Sequence, residues 1–358
     1  DLLAEIMKDA GYATAAVTSN TNLRPESHAD QGFDLYENVL EPPAAGELRI
    51  ASGFAGLSVL PPGLLPTVTD LERADHVTRT LERFLDDRVQ KPSLLWVHYM
   101  DPHDPYDAPT APPELRVSPG IATVAGRAHI SSIDREKVWN AYLLEVEFFD
   151  QWLGRLIQRL KAAGLWDNSI VVFWSDHGEE FWEHNGWEHG DKLYQEHLHV
   201  PLLIRLPGQQ EESVIDDRIS LLDAVPTLLD LCDLESAEGM KGRSLVPVLT
   251  GDGKLPPPRI MLESCMHGSI RKGVIDDRYK LIYDVYSERF SLYDLLRDPG
   301  ELHDIHGTPP APDTSELERE LVDWTEVSLA VMAHAVGRDR EQMPAEVRQR
   351  LKDMGYIQ

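Results

Sequence analysis

The chain has 358 residues, a length that fits one large domain with a smaller companion and allows a substantial hydrophobic core. Apolar residues make up 42% of it, including eight Trp and eleven Tyr, which argues against a disordered chain. The 61 acidic and 34 basic residues leave a net charge of −27, which argues against nucleic-acid binding, since Lys and Arg would have to neutralise phosphates. No apolar run reaches the length of a transmembrane segment.

Helical and strand patterns alternate along the first two thirds of the chain. Apolar residues at helical spacing predict a helix over residues 2–9, and Gly11 suits its end. The segments ATAAVTSN and SLLWVHYM predict buried strands, with an amphipathic helix over residues 67–88 between them. A long helix is predicted over residues 135–163, and NSIVVFW and VPLLIRLPG predict two further buried strands.

This alternation predicts an α/β fold, with a mostly parallel central sheet and helices on both faces, over residues 1–255. The short strands and turns after residue 255 predict a C-terminal subdomain over residues 256–358, with a small antiparallel sheet and terminal helices. Ligands of parallel sheets bind beyond the carboxyl ends of the strands. We therefore expect the loops after Met100 and Trp174 to lie on one shared edge.

Asp176 and His177 directly follow the strand pattern IVVFW and Ser175. A carboxylate and an imidazole at the end of a strand can both ligate a divalent cation. The same pair can also simply cap a turn, so the residues alone leave both interpretations open.

His103 lies in the segment HYMDPHDPY, in a loop that two prolines stiffen. Such a loop can hold an imidazole at the fixed geometry that a general acid or an oxyanion contact requires. The alternative is that the prolines only shape the turn and leave His103 exposed.

The segment EHNGWEHGDK is the third group of candidate residues. His184, His189 and Lys192 could contact an anionic group such as sulfate or phosphate. Gly186 and Gly190 would allow a ligand to approach the backbone closely.

In this order, these segments resemble the sulfatase branch of the alkaline-phosphatase superfamily. The resemblance extends almost from end to end and rests on these segments: LLAEIMKDAGYATAAV, LLWVHYMDPHDPYDAP, LWDNSIVVFWSDHGEE, LYQEHLHVPLLIRLPG, LLDAVPTLLDL, GRSLVPVLTG, RKGVIDDRYKLIYD and LYDLLRDPGELHDI. It implies an alkaline-phosphatase-like α/β fold and hydrolysis of a sulfate ester.

The resemblance also implies roles for individual residues. Asp176 and His177 would ligate a divalent metal, usually Ca²⁺ in sulfatases, or Mn²⁺ or Zn²⁺ in the phosphoryl-transfer branch. His103 would contact the sulfate or protonate the leaving oxygen. His189, or Lys192 in a shifted alignment, would place a positive charge on the sulfate, and His184 would be a further substrate contact.

Two departures from the family pattern change these expectations. The paired aspartates of the first strand are missing from the 358 residues. So is the Cys- or Ser-x-Pro-Ser-Arg motif, whose Cys or Ser matures to formylglycine. We therefore expect a chain truncated at its N-terminus and predict that it is inactive alone. Where many arylsulfatases carry a Lys and a His, AVTSNTNL offers Asn20, a neutral hydrogen-bonding group for the substrate.

The leading hypothesis is thus a metal-dependent sulfatase acting on a small-molecule or glycan sulfate ester. One alternative keeps the fold but acts as a phosphodiesterase, phosphonate hydrolase or phosphoryl-headgroup transferase. Another is a non-catalytic binding protein of the same fold. Nucleic acid is not expected as a partner, and the tendency of the family favours a periplasmic or extracellular location.

Overall fold

A computed structural model of the protein describes residues 2–40, 73–88, 92–117, 132–264, 270–309 and 311–335. The chain divides into two compact units. The first comprises Asp1–Val171 with Arg205–Glu212, and the second comprises Val172–Ile204 with Ser213–Gln358. This division does not coincide with the predicted domain boundary between residues 255 and 256, which stays a prediction.

The first unit contains a three-stranded parallel sheet. Its strands are β1 (Ala13–Thr18), β2 (Leu35–Asn38) and β3 (Ser93–Val97), in the order β2-β1-β3. Ala15 of β1 lies opposite Leu35 on one side and Leu95 on the other. Because β1 is central, its small and β-branched side chains are buried, as the sequence predicts.

Helices α1 (Leu3–Asp9), α2 (Ala74–Arg88) and α3 (Ser132–Ala162) also belong to the first unit. Helix α2 packs against both β1 and α3. The core between them consists of Val17, Val77, Leu81, Leu85 and Leu156. Part of the predicted helix over residues 67–88 lies outside the described residues.

The second unit contains a four-stranded antiparallel sheet in the order β11-β10-β9-β8. Its strands are β8 (Ile260–Ser264), β9 (Arg271–Asp276), β10 (Tyr279–Asp284) and β11 (Arg289–Asp294). Helix α7 (Ser315–Ala335) packs on β9 and β10 through Leu321 and Leu329. This sheet confirms the antiparallel C-terminal element that the sequence predicts.

The remaining strands and helices of the second unit are short. Strands β4 (Val171–Trp174) and β7 (Leu202–Arg205) are neighbours, and β5 (Glu180–Phe181) and β6 (Trp187–Glu188) form an antiparallel hairpin. The helices are α4 (Gln195–Leu198), α5 (Ala224–Leu231) and α6 (Val246–Leu249). Trp174 is 41% exposed and Leu203 58%, more than their apolar runs predict, because within the described residues β4 and β7 pair only with each other.

The parallel sheet, its packed helices and the antiparallel sheet together confirm the predicted α/β class. In the described part of the chain, no helix combines the length and apolar character that crossing a membrane requires. The predicted helix at the very C-terminus lies outside the described residues.

Candidate active site

The turn after β4 carries the two predicted metal ligands. The backbone N–H of His177 donates to Oδ1 of Asp176 at 3.0 Å, and Nδ1 of His177 lies 2.9 Å from the carbonyl oxygen of Gly178. A carbonyl can only accept, so Nδ1 carries a proton, and in the neutral ring Nε2 is the nitrogen with a lone pair. Gly178 is required here, since a Cβ on it would lie 2.1 Å from the carbonyl oxygen of Glu196.

These two side chains fit a divalent cation. Nε2 of His177 lies 3.8 Å from Oδ2 of Asp176, and the Asp176 side chain is 76% exposed. Donor atoms about 2.0–2.6 Å from one cation are roughly 3–5 Å apart, so both atoms can reach the same ion. The hydrogen bond from Nδ1 to the Gly178 carbonyl is the kind of outer contact that orients metal-ligating histidines.

His189 lies directly against His177. The two imidazole rings stack with their centroids 4.0 Å apart and an interplanar angle of 28°. Nδ1 of His189 is 3.1 Å from Oε1 of Glu179, and both side chains are largely buried. Burial alone would lower the pKa of His189, but the hydrogen bond to Glu179 and the charges of nearby carboxylates outweigh it and raise that pKa. The hydrogen bond to Glu179 therefore fixes the orientation of the His189 ring beside the predicted metal ligands.

The Lys192 side chain binds other residues of the same loop. Its ammonium donates to both carboxylate oxygens of Glu180, at 2.9 and 2.7 Å, and to the carbonyl oxygen of His184 at 2.9 Å. The Glu180 side chain is 1% exposed. A Cβ on Gly186 would lie 2.2 Å from the Lys192 ammonium, so this glycine makes room for the protein's own lysine. Substrate binding by Lys192 stays a prediction, and its contacts favour a role in holding the loop.

Glu180 is the centre of this hydrogen-bond network. It also accepts from the backbone N–H groups of His184 and Gly186, at 3.1 and 2.6 Å, and its Oε2 lies 3.6 Å from Nε2 of the buried His197. Burial alone would raise the pKa of Glu180, but these donors and the Lys192 charge lower it to about 2. Glu180 is thus an anion that fixes the turn between β5 and β6.

His184 has protein partners at both ring nitrogens. Nδ1 lies 2.7 Å from Oε1 of Glu196, and Nε2 lies 3.1 Å from the backbone carbonyl of Glu301. The ring also stacks on Tyr194, with centroids 3.6 Å apart. Substrate contact by His184 stays a prediction, and these partners favour a positioning role.

Glu180, Glu196 and His197 form a second group whose ligand atoms lie within 4.8 Å of one another, close enough for a metal ion. Their acidic oxygens already have cationic or polar partners, because Lys192 neutralises Glu180 and His184 contacts Glu196. A cation placed there would be repelled by the Lys192 ammonium. Asp176 and His177 stay the predicted metal ligands, and the Glu180–Glu196–His197 group is the alternative.

The C-terminal sheet holds the loop through a buried ion pair. Nζ of Lys280 on β10 lies 2.7 Å from Oε1 of Glu301, and both side chains are fully buried. Lys280 also donates to the carbonyl oxygen of Leu193 at 2.8 Å, and Glu301 accepts from the N–H of Gln195 at 2.7 Å. Burial lowers the pKa of Lys280 and raises that of Glu301, so the pair resists neutralisation only through these contacts.

His103 and Asn20 belong to the first unit and follow neighbouring strands. Oγ of Ser19, at the end of β1, donates to the carbonyl of His98 at 3.1 Å and accepts from the N–H of Met100 at 3.0 Å, so these two strand ends are joined. Nδ1 of His103 lies 2.5 Å from the carbonyl oxygen of Asp104, which leaves Nε2 as the acceptor nitrogen of the neutral ring. Oδ1 of Asn20 accepts from the N–H of Asn22 at 2.8 Å. The roles of both residues, and the shared edge with the Trp174 loop, stay predictions.

Two buried acids accompany the His103 loop. Burial raises the pKa of Asp101 to about 7, and burial together with the charges of Asp101 and Asp107 raises that of Glu145 to about 8. Glu145 is 4% exposed on α3. Both acids are therefore substantially protonated near neutral pH.

Three glutamates of the loop, which the sequence did not single out, pair with the predicted site residues. Glu179, Glu180 and Glu196 pair with His189, Lys192 and His184 respectively, the three residues predicted to contact an anion. The excess of acids in the segment was a visible signal. The individual pairings were not, because they depend on how the loop folds back.

Two family models match the chain: the sulfatase model over residues 1–234, and the model for the C-terminal part of N-sulphoglucosamine sulphohydrolase over residues 183–326. The first match covers well over half of the chain. The chain belongs to the sulfatase family.

Curated proteins of similar sequence are also named as sulfatases. The chain is 28% identical to the uncharacterized sulfatase YidJ of Escherichia coli (strain K12) over 90% of its length and 71% of YidJ. It is 33% identical to the N-acetylglucosamine-6-O-sulfatase of Bacteroides thetaiotaomicron, over 52% of this chain and 34% of that protein. Against this second relative the match spans about a third of the relative's length.

Solved structures share the fold. The protein BT4656, determined in complex with its substrate D-glucosamine-2-N,6-O-disulfate, superposes with a TM-score of 0.64 and 20% identity, over 96% of this chain and 84% of that one. The phosphonate monoester hydrolase of Agrobacterium radiobacter superposes with a TM-score of 0.61 and 20% identity, over 93% and 80% of the two chains. Both likenesses concern the fold, so the phosphonate hydrolase supports the phosphoryl alternative only weakly.

Proposed function

We propose that the intact enzyme hydrolyses sulfate esters, with a sulfated amino sugar of a glycan as its substrate class, and that the 358 residues contribute to binding that ester. The reaction converts a sulfate ester and water into an alcohol and inorganic sulfate. The observation that carries the proposal is the stack of His177 on His189 beside Asp176, which brings two predicted metal ligands and a second imidazole together.

We assign a separate role to each residue of this group. Asp176 and His177 would hold a divalent metal, which would supply positive charge to polarise the sulfuryl oxygens. His189, held by Glu179, would bind a sulfate oxygen or hold a proton for the leaving oxygen. Lys192 and His184 would keep the loop in place through Glu180 and Glu196. His103 would contact the sulfate, as the family resemblance implies.

The metal is proposed as Ca²⁺, because that is the usual ion of sulfatases. The imidazole ligand is a reason to test Mn²⁺ and Zn²⁺ as well, since nitrogen donors suit those ions better than Ca²⁺. The mixed carboxylate and imidazole donor set accommodates any of the three.

The substrate class is supported by the names of relatives. One relative is an N-acetylglucosamine-6-O-sulfatase, and a protein of the same fold was solved with a disulfated glucosamine. The 358 residues contain no Cys- or Ser-x-Pro-Ser-Arg motif, so we expect this chain to bind such an ester without turning it over. An extracytoplasmic location also stays a prediction.

Calorimetry of the purified chain with N-acetylglucosamine 6-sulfate tests the proposal, in the presence of each metal and in its absence. We expect metal-dependent binding that His189→Ala weakens and that unsulfated N-acetylglucosamine does not reproduce. N-acetylglucosamine 6-phosphate is the matched ligand for the alternative. Preferential binding of the phosphate would favour phosphoryl chemistry, and no binding of either ester at saturating metal would contradict the proposal.

A further inference from the structure

The C-terminal antiparallel sheet contacts the site loop directly after His189. The hydroxyl of Ser264, the last residue of β8, donates to the carbonyl oxygen of Gly190 at 2.5 Å. The guanidinium of Arg271, the first residue of β9, donates to the carbonyl oxygen of Asp191. Both contacts lie within the second unit. Two neighbouring strands thus hold two consecutive carbonyl groups of the loop.

The two donors lie at one register position of the sheet and are themselves fixed. Ser264 lies opposite Arg271 in the pairing of β8 with β9, and Arg271 lies opposite Asp284 in the pairing of β9 with β10. Nε of Arg271 is 3.1 Å from Oδ2 of Asp284, whose Oδ1 accepts from the N–H and the hydroxyl of Ser287. Ser264 is 7% exposed. Burial fixes the hydroxyl, and the carboxylate orients the guanidinium.

The backbone around His189 needs such support. The φ angle is 68° at Glu188 and 103° at Gly190, so left-handed residues flank His189 on both sides. A residue with a side chain seldom adopts such a φ, and Glu188 keeps it only because the surrounding structure holds it there. Gly190 adopts its φ without steric cost but restricts the chain less than any other residue type. Contacts from outside the loop are therefore needed to fix the direction in which the His189 side chain projects.

The direction of this side chain decides what its ring contacts. The His189 ring stacks on His177 with the centroids 4.0 Å apart, and its Nδ1 lies 3.1 Å from Oε1 of Glu179. His177 and Glu179 precede the β5–β6 hairpin, whereas Gly190 and Asp191 follow it. Glu179 therefore fixes the ring itself, and the sheet fixes the main chain to which the ring is attached.

We propose that Ser264 and Arg271 are positioning residues for His189. They hold the main chain that follows it, so that its ring stacks on His177 and can contact a sulfate oxygen. The contact with sulfate rests on the proposed function, whereas the effect on the ring stack does not. In this role neither Ser264 nor Arg271 touches the ester, yet the affinity for the ester depends on both.

The first test is the position of the His189 ring, read from the histidine ε1 C–H resonances of the isotope-labelled full chain at fixed pH. Substitution of each ring in turn assigns the resonances of His177 and His189. We expect Ser264→Ala combined with Arg271→Met to move both resonances toward the values of unstacked histidine, because the stack loosens. Ser264→Ala alone, which removes a single oxygen atom, should move them in the same direction by less.

Matched controls distinguish positioning from a general loosening of the sheet. Ser264→Thr keeps the hydroxyl donor and should leave both resonances in place. Arg278→Met removes a comparable ion pair, with Asp294, from the turn that joins β9 and β10, and should also leave them in place. The ring of His306 stacks on Phe290 in the same unit and should keep its resonance in every variant. A shift of the His306 resonance equal to those of the stacked pair would overturn the proposal.

The second measurement is calorimetry with N-acetylglucosamine 6-sulfate at saturating metal. The double variant should raise the Kd at least about fivefold, since two hydrogen bonds that position His189 are lost. Unmoved resonances of His177 and His189, or an unchanged Kd in a chain that binds the ester, would overturn the proposal. A natural chain that binds no ester would contradict the proposed function instead, and the resonances would still decide the role of Ser264 and Arg271.

Discussion

The imidazole rings of His177 and His189 stack with their centroids 4.0 Å apart, and Glu179 accepts a hydrogen bond from Nδ1 of His189 at 3.1 Å. The ring stack thus places a predicted metal ligand against the imidazole that is predicted to contact the sulfate. A substitution at either ring should change the position of the other ring, so this pair is the most informative place for mutation.

Asp176→Asn should weaken divalent-metal binding by at least about tenfold, because the carboxylate charge is lost while the side chain keeps its size. Calorimetric titration with Ca²⁺ and Mn²⁺ measures the effect. Asp217→Asn, at another exposed aspartate of the second unit, is the control and should leave the affinity unchanged. Equal affinities in both variants would remove Asp176 from the metal site.

Glu179→Ala should weaken binding of N-acetylglucosamine 6-sulfate by about tenfold, because His189 loses the acceptor that orients its ring. Glu179→Gln keeps a carbonyl acceptor at the same place and should stay within about threefold of the natural chain. Calorimetry at saturating metal compares the two. If both variants bound equally well, the hydrogen bond would have no positioning role.

Glu180→Gln should lower the free energy of unfolding by about 3 kcal/mol, because the Lys192 ammonium would lose its anionic partner in a buried position. Urea denaturation followed by fluorescence measures the loss. Glu183→Gln is a matched control in the same loop, since Glu183 is exposed. A loss of the same size in the control would show that the buried network contributes nothing specific.

Glu301→Gln should destabilise the chain by about 3–5 kcal/mol, since the buried Lys280 would lose the carboxylate that favours its charged form. Adding Lys280→Met removes that charge and should restore much of the lost stability, while the Gln carbonyl still accepts from the N–H of Gln195. Thermal and urea denaturation of the single and double variants measure the coupling. A double variant no more stable than Glu301→Gln would contradict this account of the pair.

The stability of the chain should fall as the pH rises from 6 to 8.5. The pKa values of Asp101 and Glu145 are raised to about 7 and about 8, so the folded state holds protons that the unfolded chain releases. Their favourable contribution is complete below their ordinary values near 4 and is lost as the pH passes through the raised values.

We expect this loss to be roughly 4 kcal/mol between pH 6 and pH 8.5. Glu145→Gln should flatten the dependence, whereas Glu147→Gln, an exposed position on the same helix, should leave it unchanged. Urea denaturation at a series of pH values decides the question, and a flat profile for the natural chain would show that these acids are ionised in the folded state.

Local patterns predicted the strands and helices well. Helix α1 and strands β1, β3, β4 and β7 lie where their apolar periodicity placed them, because side-chain spacing records which face of an element is buried. The Asp176–His177 turn was also accessible from sequence, since it directly follows a strand.

The directions of the loop side chains could not be predicted in the same way. The ammonium of Lys192, for example, binds Glu180, twelve residues earlier in the chain. Glu301 reaches the loop from more than a hundred residues away along the chain. The sequence shows which types of side chain a loop carries. Which of them pair depends on tertiary contacts, and the periodicity of neighbouring residues does not predict those contacts.

Anomalous diffraction from crystals of the chain grown with Mn²⁺ tests the central claim most directly. We expect an anomalous peak within coordination distance of a carboxylate oxygen of Asp176 and Nε2 of His177, with the His189 ring beside it. A peak among Glu180, Glu196 and His197 instead, or no peak at either place with the metal at saturating concentration, would contradict it.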